Sequence, residues 1–266
     1  MIDGNTRVFA ILGDPVAHSL SPTMHNAAFK ALGLPAAYVP LRCSESDLPT
    51  IMAALTRSGG GGNVTVPHKE AAARSVDRCL EQAELLGACN TFWSDDGESV
   101  GENTDVAGIT AALDQLDAPA GGWLIVGTGG GARAAVGAAR IRGVPVAAKS
   151  RSVERRERFL AWARDLGVAE VPADGCTVVI NTTPLGLVAG QPLPLEKAPP
   201  DALVALDMVY ARGETAWVRA MRAAGLRAAD GRVMLVAQGA AAFRCWFPRV
   251  PPPIDLMRGV VDAALR

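Results

Sequence analysis

The chain has 266 residues, 49% of them apolar, and its 26 basic residues nearly balance 27 acidic ones for a net charge of −1. This predicts a globular protein of one large or two modest domains rather than a disordered one, with no electrostatic reason to bind nucleic acid or a membrane surface. Its apolar runs fall far short of a membrane span and its start lacks the pattern of a signal peptide; five cysteines without a C-x-x-C pair, beside three scattered histidines, predict no metal site and a reducing, cytoplasmic setting.

In chain order, short apolar strands alternate with Ala/Leu-rich helices. Residues 7–12 read as a strand, and 22–32 as a helix stopped by Gly33. Residues 37–41 read as a strand, 45–56 as a helix and 63–66 as a short strand, after which Pro67 opens a helix; the run at 59–62 is a glycine loop. Segments 90–93 and 99–102 flank Asp95-Asp96-Gly97, a hairpin signal. Residues 105–116 form a helix, and 123–126, 144–148, 177–181 and 204–208 are further strands separated by helices. The alternation predicts an α/β fold with parallel sheets covered by helices on both faces. A composition break at 117–122 separates a first half from a nucleotide-binding second half, with the helix from Asp105 as the bridge.

After the strand at 123–126 comes Gly127-Thr128-Gly129-Gly130-Gly131-Ala132, then a helix over 133–141. Glycines permit a tight turn and let backbone approach a pyrophosphate, and the helix start offers free N–H groups. The strand–glycine–helix context is what that mechanism requires, although a tight connection alone also accounts for it. The next strand leads into Ser150-Arg151-Ser152, with Arg155 one turn on. An acidic residue here would hold the ribose hydroxyl of NAD; arginine suits the 2′-phosphate of NADP. The competing reading is a solvated basic helix, because Arg156 and Arg158 follow.

Earlier, Ser19-Leu20-Ser21-Pro22 precedes a helix. Ser21 is a good N-cap ahead of proline, which is sufficient reason for it, yet two hydroxyls at a helix start also suit a carboxylate. His25 and Asn26 suit packing or hydrogen bonding within the fold. Lys69 lies in the first turn after Pro67, where the positive end of the helix disfavours an ammonium. Asp105 has the ordinary reading of a helix-start acid; Asn90 could be a turn residue and Gln238 a surface amide. Taken singly, each residue has a structural explanation.

Together they resemble the shikimate dehydrogenase family, nearly end to end. The motifs are Gly13-Asp14-Pro15, His18-Ser19-Leu20-Ser21-Pro22, Asn63-Val64-Thr65-Val66-Pro67-His68-Lys69-Glu70, Gly87-Ala88-Cys89-Asn90-Thr91, Gly101-Glu102-Asn103-Thr104-Asp105, the glycine loop, Asn181-Thr182-Thr183-Pro184-Leu185-Gly186, Asp207-Met208-Val209-Tyr210 and Met234-Leu235-Val236-Ala237-Gln238. The resemblance implies NADPH-dependent, reversible reduction of 3-dehydroshikimate to shikimate in aromatic amino-acid biosynthesis, by a cytoplasmic monomer or homodimer whose partners are small molecules. Alternatives are a quinate/shikimate or aminoshikimate dehydrogenase, or a non-catalytic dinucleotide sensor. It further implies two α/β domains separated by a cleft: 1–104 plus 238–266 for substrate and catalysis, 105–237 as a Rossmann-like, doubly wound NADP domain. Lys69 and Asp105 would form the catalytic pair. Ser19 and Ser21 would bind the substrate carboxylate with Tyr210 nearby, and Thr65, Asn90 and Gln238 the ring hydroxyls. The cofactor would be held by Gly127, Thr128, Gly129, Gly130, Gly131, Ala132, Ser150, Arg151, Ser152, Arg155, Thr183 and Met208. Departures from the family pattern are the glycines at 59–62, which predict a mobile loop, Leu187 in place of a methionine, and Ala211-Arg212-Gly213 after Tyr210; the last two leave substrate preference open.

Overall fold

The computed structural model describes residues 2–186 and 190–266. The chain divides into two compact units, Met1–Asp105 with Leu235–Ala264 and Val106–Met234 with Leu265–Arg266. Among the described residues no helix is long and apolar enough to cross a membrane.

The first unit is built on a mixed sheet of β1 (Arg7–Gly13), β2 (Ala36–Arg42), β3 (Gly61–Val64), β4 (Arg78–Cys79), β5 (Thr91–Asp95) and β6 (Glu98–Glu102), in the order β2-β1-β3-β5-β6-β4. β1 is buried from Phe9 onward, as a central strand covered on both faces must be. Side chains alternate across it. Phe9 meets Phe29, Trp246 and Phe247 on one face, while Ala10 and Leu12 join Leu48, Met52 and Phe92 on the other. The helices α1 (Ser21–Ala31), α9 (Arg232–Trp246) and α10 (Ile254–Ala264) belong to the Phe9 side through these rings and Met257; α2 (Leu48–Arg57), α3 (Lys69–Ser75) and α4 (Glu81–Leu86) supply the other cluster. The predicted hairpin is present, with Asp96 and Gly97 both at positive φ, 47° and 88°.

One expectation is overturned here. The glycine run is a loop only at its start: Gly59 and Gly60 connect α2 to β3, whereas Gly61 and Gly62 lie in β3, paired parallel with Phe9 and Ala10 and antiparallel with Trp93 and Phe92. A Cβ at Gly60 would lie 2.0 Å from the Val8 carbonyl oxygen, at Gly61 2.3 Å from that of Phe92, and at Gly62 2.0 Å from that of Ala10. The glycines allow three strands to approach where any side chain would collide.

The second unit holds β7 (Gly122–Val126), β8 (Val146–Lys149), β9 (Cys176–Asn181), β10 (Val204–Asp207) and β11 (Arg227–Ala229), all parallel, ordered β11-β10-β9-β7-β8. The helices α5 (Asp105–Gln115), α6 (Gly130–Arg142), α7 (Val153–Asp165) and α8 (Ala216–Ala223) accompany it. This is the doubly wound α/β arrangement, and its strand order reverses between β7 and β9. In such sheets ligands bind beyond the carboxyl ends of the strands at that switch point. Here those ends are Gly127 and Asn181 to Thr183.

Candidate active site

The β5–β6 hairpin is what brings the charged pair together. Thr91 pairs with Glu102, so Asn90 immediately precedes the paired ends and Asp105, the first residue of α5, closely follows them. The backbone N–H of Asn90 donates to the Glu102 carbonyl at 3.1 Å, and that of Val64 to the Asn90 carbonyl at 2.9 Å. Lys69 opens α3, two residues after Pro67, and its carbonyl accepts from the Cys89 N–H at 2.8 Å. The ammonium of Lys69 donates to Asp105 Oδ2, while Asn90 Nδ2 donates to Asp105 Oδ1 at 2.8 Å. The side chains of Lys69 and Asp105 are only 11% and 6% exposed, so water screens the pair poorly. An amine with transferable protons, an acceptor that orients it, and an amide on the same carboxylate can give a proton to a nascent alkoxide and hold a neighbouring hydroxyl.

The other candidates of the first unit have firm backbone placements. Thr65 donates its N–H to the Leu12 carbonyl at 2.8 Å, and a Cβ at Gly13 would collide with its methyl at 2.4 Å. Ser21 is not an N-cap. The helix starts at Ser21 itself, Leu20 is the capping position without a side-chain cap, and the Ser21 N–H goes to Ser19 Oγ at 3.3 Å. Gln238 is not a surface amide: it is buried in α9 and donates to the Leu235 carbonyl at 2.9 Å. The neighbouring Gly239 lets α9 close onto α1, since a Cβ there would lie 2.2 Å from Met24 Cε. Asn26 holds Tyr38 by two bonds, at 2.8 and 2.9 Å, the internal role expected of it.

In the second unit the glycine loop fits a dinucleotide. Gly127 sits at φ +117°, and a Cβ on it would lie 2.4 Å from Thr182 Oγ1, so the turn admits only glycine. Gly129 is the opposite case: a Cβ would meet nothing within 4 Å, and α6 starts directly after it with no side-chain cap on its first N–H groups. That open backbone at an uncapped helix start is what a pyrophosphate requires. Gly131 faces Met208, whose Cε lies 3.1 Å from where its Cβ would be. Gly130, already in α6, and buried Ala132 pack the same turn, and Thr128 is half-buried beside it. On the β8 side, Ser150 Oγ accepts from the Ser152 N–H at 3.3 Å, and Ser152 Oγ caps α7 through the Arg155 N–H at 3.2 Å. Arg151 and Arg155 are exposed, and Tyr210 is half-buried in the same unit. Leu187 lies outside the described residues.

Two residues of this unit, quoted in the motifs above without a role, do structural work. Asp207, fully buried, accepts from Asn181 Nδ2 at 2.8 Å, from the Val209 N–H at 3.1 Å and from Thr215 Oγ1 at 2.8 Å. Asn181 in turn accepts from the Thr183 N–H and hydroxyl at 3.0 and 2.7 Å. Burial pushes the Asp207 carboxyl up to about 6, against the opposing effect of those three donors. The pair thus fixes the segments bearing Thr183 and Met208. A polar residue ending an apolar strand is the one hint of that role the sequence offers.

Residues 11–92 match the family model described as the shikimate dehydrogenase substrate binding domain, and 231–261 that described as the shikimate 5'-dehydrogenase C-terminal domain. The chain is 40% identical to the shikimate dehydrogenase (NADP(+)) of Geobacter metallireducens, covering 100% of this chain and 99% of the relative, and 37% identical to that of Acidiphilium cryptum with the same coverage. Among solved structures, shikimate 5-dehydrogenase from Thermus thermophilus in complex with NADP(H) and shikimate superposes with a TM-score of 0.84 at 34% identity, covering 100% of each chain. A shikimate dehydrogenase in complex with NADP+ gives 0.89 at 30% identity, covering 100% of this chain and 98% of that one. By its sequence over its whole length and by its fold, the chain belongs to the shikimate dehydrogenase family.

Proposed function

We propose that this protein is an NADP-dependent shikimate dehydrogenase, an oxidoreductase that reversibly reduces 3-dehydroshikimate to shikimate. The observation that carries the reading is the poorly exposed Lys69–Asp105 pair closed by Asn90. Residues 1–104 with 238–266 hold the substrate, and 105–237 hold the cofactor. Ser19 and Ser21 take the substrate carboxylate with Tyr210 nearby; Thr65, Asn90 and Gln238 take ring hydroxyls. Lys69 gives a proton to the carbonyl oxygen as it becomes the alcohol. Asp105 keeps the ammonium aimed and accepts from the adjacent hydroxyl. In the oxidative direction Lys69 takes the proton back.

The cofactor site is the turn Gly127 to Ala132, with Thr183 and Met208 beside it and Ser150, Arg151, Ser152 and Arg155 for the 2′-phosphate. Bound there, NADPH supplies the hydride to the keto carbon. Gly129 leaves room for the pyrophosphate, and the first N–H groups of α6 neutralise part of its charge. The protein works in the cytoplasm on small molecules, as a monomer or homodimer.

Steady-state absorbance at the nicotinamide band, with shikimate or quinate and with NADP+ or NAD+, tests the reading. Shikimate with NADP+ is expected to give the highest kcat/KM. A preference for quinate moves the protein to another specificity within the family, and no turnover with any pair overturns the assignment.

A further inference from the structure

A chain of buried hydrogen bonds leads away from Asp105 into the core of the first unit, and two backbone groups fix its direction. The Thr104 N–H, an obligate donor, meets Asn90 Oδ1 at 2.7 Å, so the Asn90 amide must turn its NH2 to Asp105. The Asn90 carbonyl, an obligate acceptor, meets Asn63 Nδ2 at 3.1 Å, so Asn63 must turn its Oδ1 to the Tyr38 hydroxyl, which donates at 2.7 Å. Between the two amides lie Thr91 and Thr104. Asn63 Nδ2 donates to Thr91 Oγ1 at 2.9 Å; the two threonine hydroxyls are 2.9 Å apart, and each is 3.1 Å from Asn90 Oδ1. Two hydroxyls cannot each give a proton to the other. In every arrangement at least one hydroxyl proton therefore reaches Asn90 Oδ1. Each of these residues is less than 5% exposed, so no solvent competes.

We propose that Tyr38, Thr91 and Thr104 are positioning residues for Asp105: acting through Asn63 and Asn90, they deliver a directed row of donors that lets the Asn90 amide present only its NH2 to the carboxylate. Both Asp105 oxygens are then occupied by donors, and the carboxylate is held as an acceptor aimed at Lys69. If the Asn90 amide turned over, it would set oxygen against carboxylate and NH2 against the Thr104 N–H. The Thr104 N–H and the Asp105 carboxylate oppose that alternative outright, and the hydroxyls add to its cost because they would have to give up donating to Asn90 Oδ1. The inference rests on the reading of Lys69 and Asp105 as the catalytic pair.

The test compares Thr91→Val, which keeps shape and loses the hydroxyl, with Thr91→Ser, which keeps the hydroxyl, at saturating shikimate and NADP+. Thr91→Val is expected to lower kcat by about 5–10-fold, Thr91→Ser by less than about twofold, and Tyr38→Phe, at the far end of the row, by about 2–3-fold. In a Lys69→Ala background Thr91→Val should change kcat by less than about twofold, because no pair remains to be aimed, whereas damage to the fold alone would lower kcat there as well. Equal losses in the valine and serine variants, an undiminished kcat in Thr91→Val, or a full loss in the Lys69→Ala background would each overturn the proposal. Thr104→Val, which spares the backbone donor, is read by the same criteria if Thr91→Val does not fold; if neither folds, the hydroxyls support the fold rather than the pair and the proposal fails. Absence of wild-type turnover would instead strike the assignment of function, a distinct outcome.

Discussion

The two units use the same residue types for opposite ends. Glycines of the first unit are filled in from outside, with carbonyl oxygens 2.0–2.3 Å from the absent Cβ positions at Gly60, Gly61 and Gly62. Gly129 of the second unit faces open space. The buried carboxylates differ in the same sense. Asp105 has a cation against it, as the proposed proton transfer requires; Asp207 has only neutral donors, which tie it to the segments around it. A glycine or a buried acid thus has no meaning by itself. What matters is whether the space or lone pair beside it is already taken by the protein.

The sharpest way to break the comparison is to remove the cation. Lys69→Ala takes away the proposed proton donor and leaves Asp105 resembling Asp207, a buried acid with a neutral amide. The expected result is a fall in kcat of about 10²–10⁴-fold, with much smaller change in KM for shikimate. A steep rise in KM with kcat intact would make Lys69 a binding residue and remove the functional contrast between the two acids.

Titration separates one buried group of each unit by sign. His25 of the first unit is fully buried against Tyr38 and Trp246, with ring centroids 4.8 and 4.9 Å away, and neither ring nitrogen has a hydrogen-bond partner. Burial lowers it to about 3 from 6.5. Between those values the unfolded chain binds the proton and the folded one does not, so its contribution is lost as pH falls, by about 5 kcal/mol over the full range. Asp207 is raised, from 3.8 to about 6. There the folded state binds the proton more tightly, and the contribution falls as pH rises through that window, by about 3 kcal/mol. The two slopes oppose each other between about pH 4 and 6. Urea unfolding across this range should show a steeper loss of stability towards acid in Asp207→Asn and a shallower or reversed one in His25→Leu. Parallel pH curves for wild type and both variants would end this distinction.

Next come the glycines themselves. Gly62→Ala puts a methyl 2.0 Å from the Ala10 carbonyl in the middle of a sheet, and about 3 kcal/mol of destabilisation by thermal or urea unfolding is expected. Gly129→Ala, at φ −92° with open space, should leave stability within about 0.5 kcal/mol while weakening NADPH binding in a fluorescence titration. A stable Gly62→Ala, or an unstable Gly129→Ala, would show that the two kinds of glycine are not distinct.

How much of this can be read beforehand follows the same line. The second unit is legible because strand, glycine turn and helix are contiguous, and local pattern suffices for contiguous elements. Lys69, Asn90 and Asp105 are legible as candidates through the motifs around them. The β3 glycines mislead, since glycine signals a turn locally and only the approach of β1 and β5 makes it a strand residue. Ser21 shifts by one helix position because the choice of cap rests on the Ser19 hydroxyl taking its N–H. Asp207, Asn181 and Thr91 stand in motifs, but their partners come from register: Asn181 pairs with Asp207 across β9 and β10, and Thr91 with Glu102 across the hairpin, beside which Thr104 follows.

The smallest expected effect tests whether the open side of the second unit is built for the extra phosphate. Arg151 is exposed, immediately follows β8 and Ser150, and precedes the Ser152 cap that aims α7. An exposed guanidinium in that place either meets a 2′-phosphate or meets water. If it meets phosphate, Arg151→Ala should weaken NADPH binding by about 1.5–3 kcal/mol, the worth of a hydrogen bond to a charged group. NADH, which lacks the phosphate, should bind both forms equally, so the ratio of the two affinities isolates the contact from any general loosening of the loop. Since the side chain is exposed, the loss should shrink as salt is raised. Equal losses for both cofactors would assign Arg151 to loop structure, and no loss for either would return it to the solvated basic face of α7.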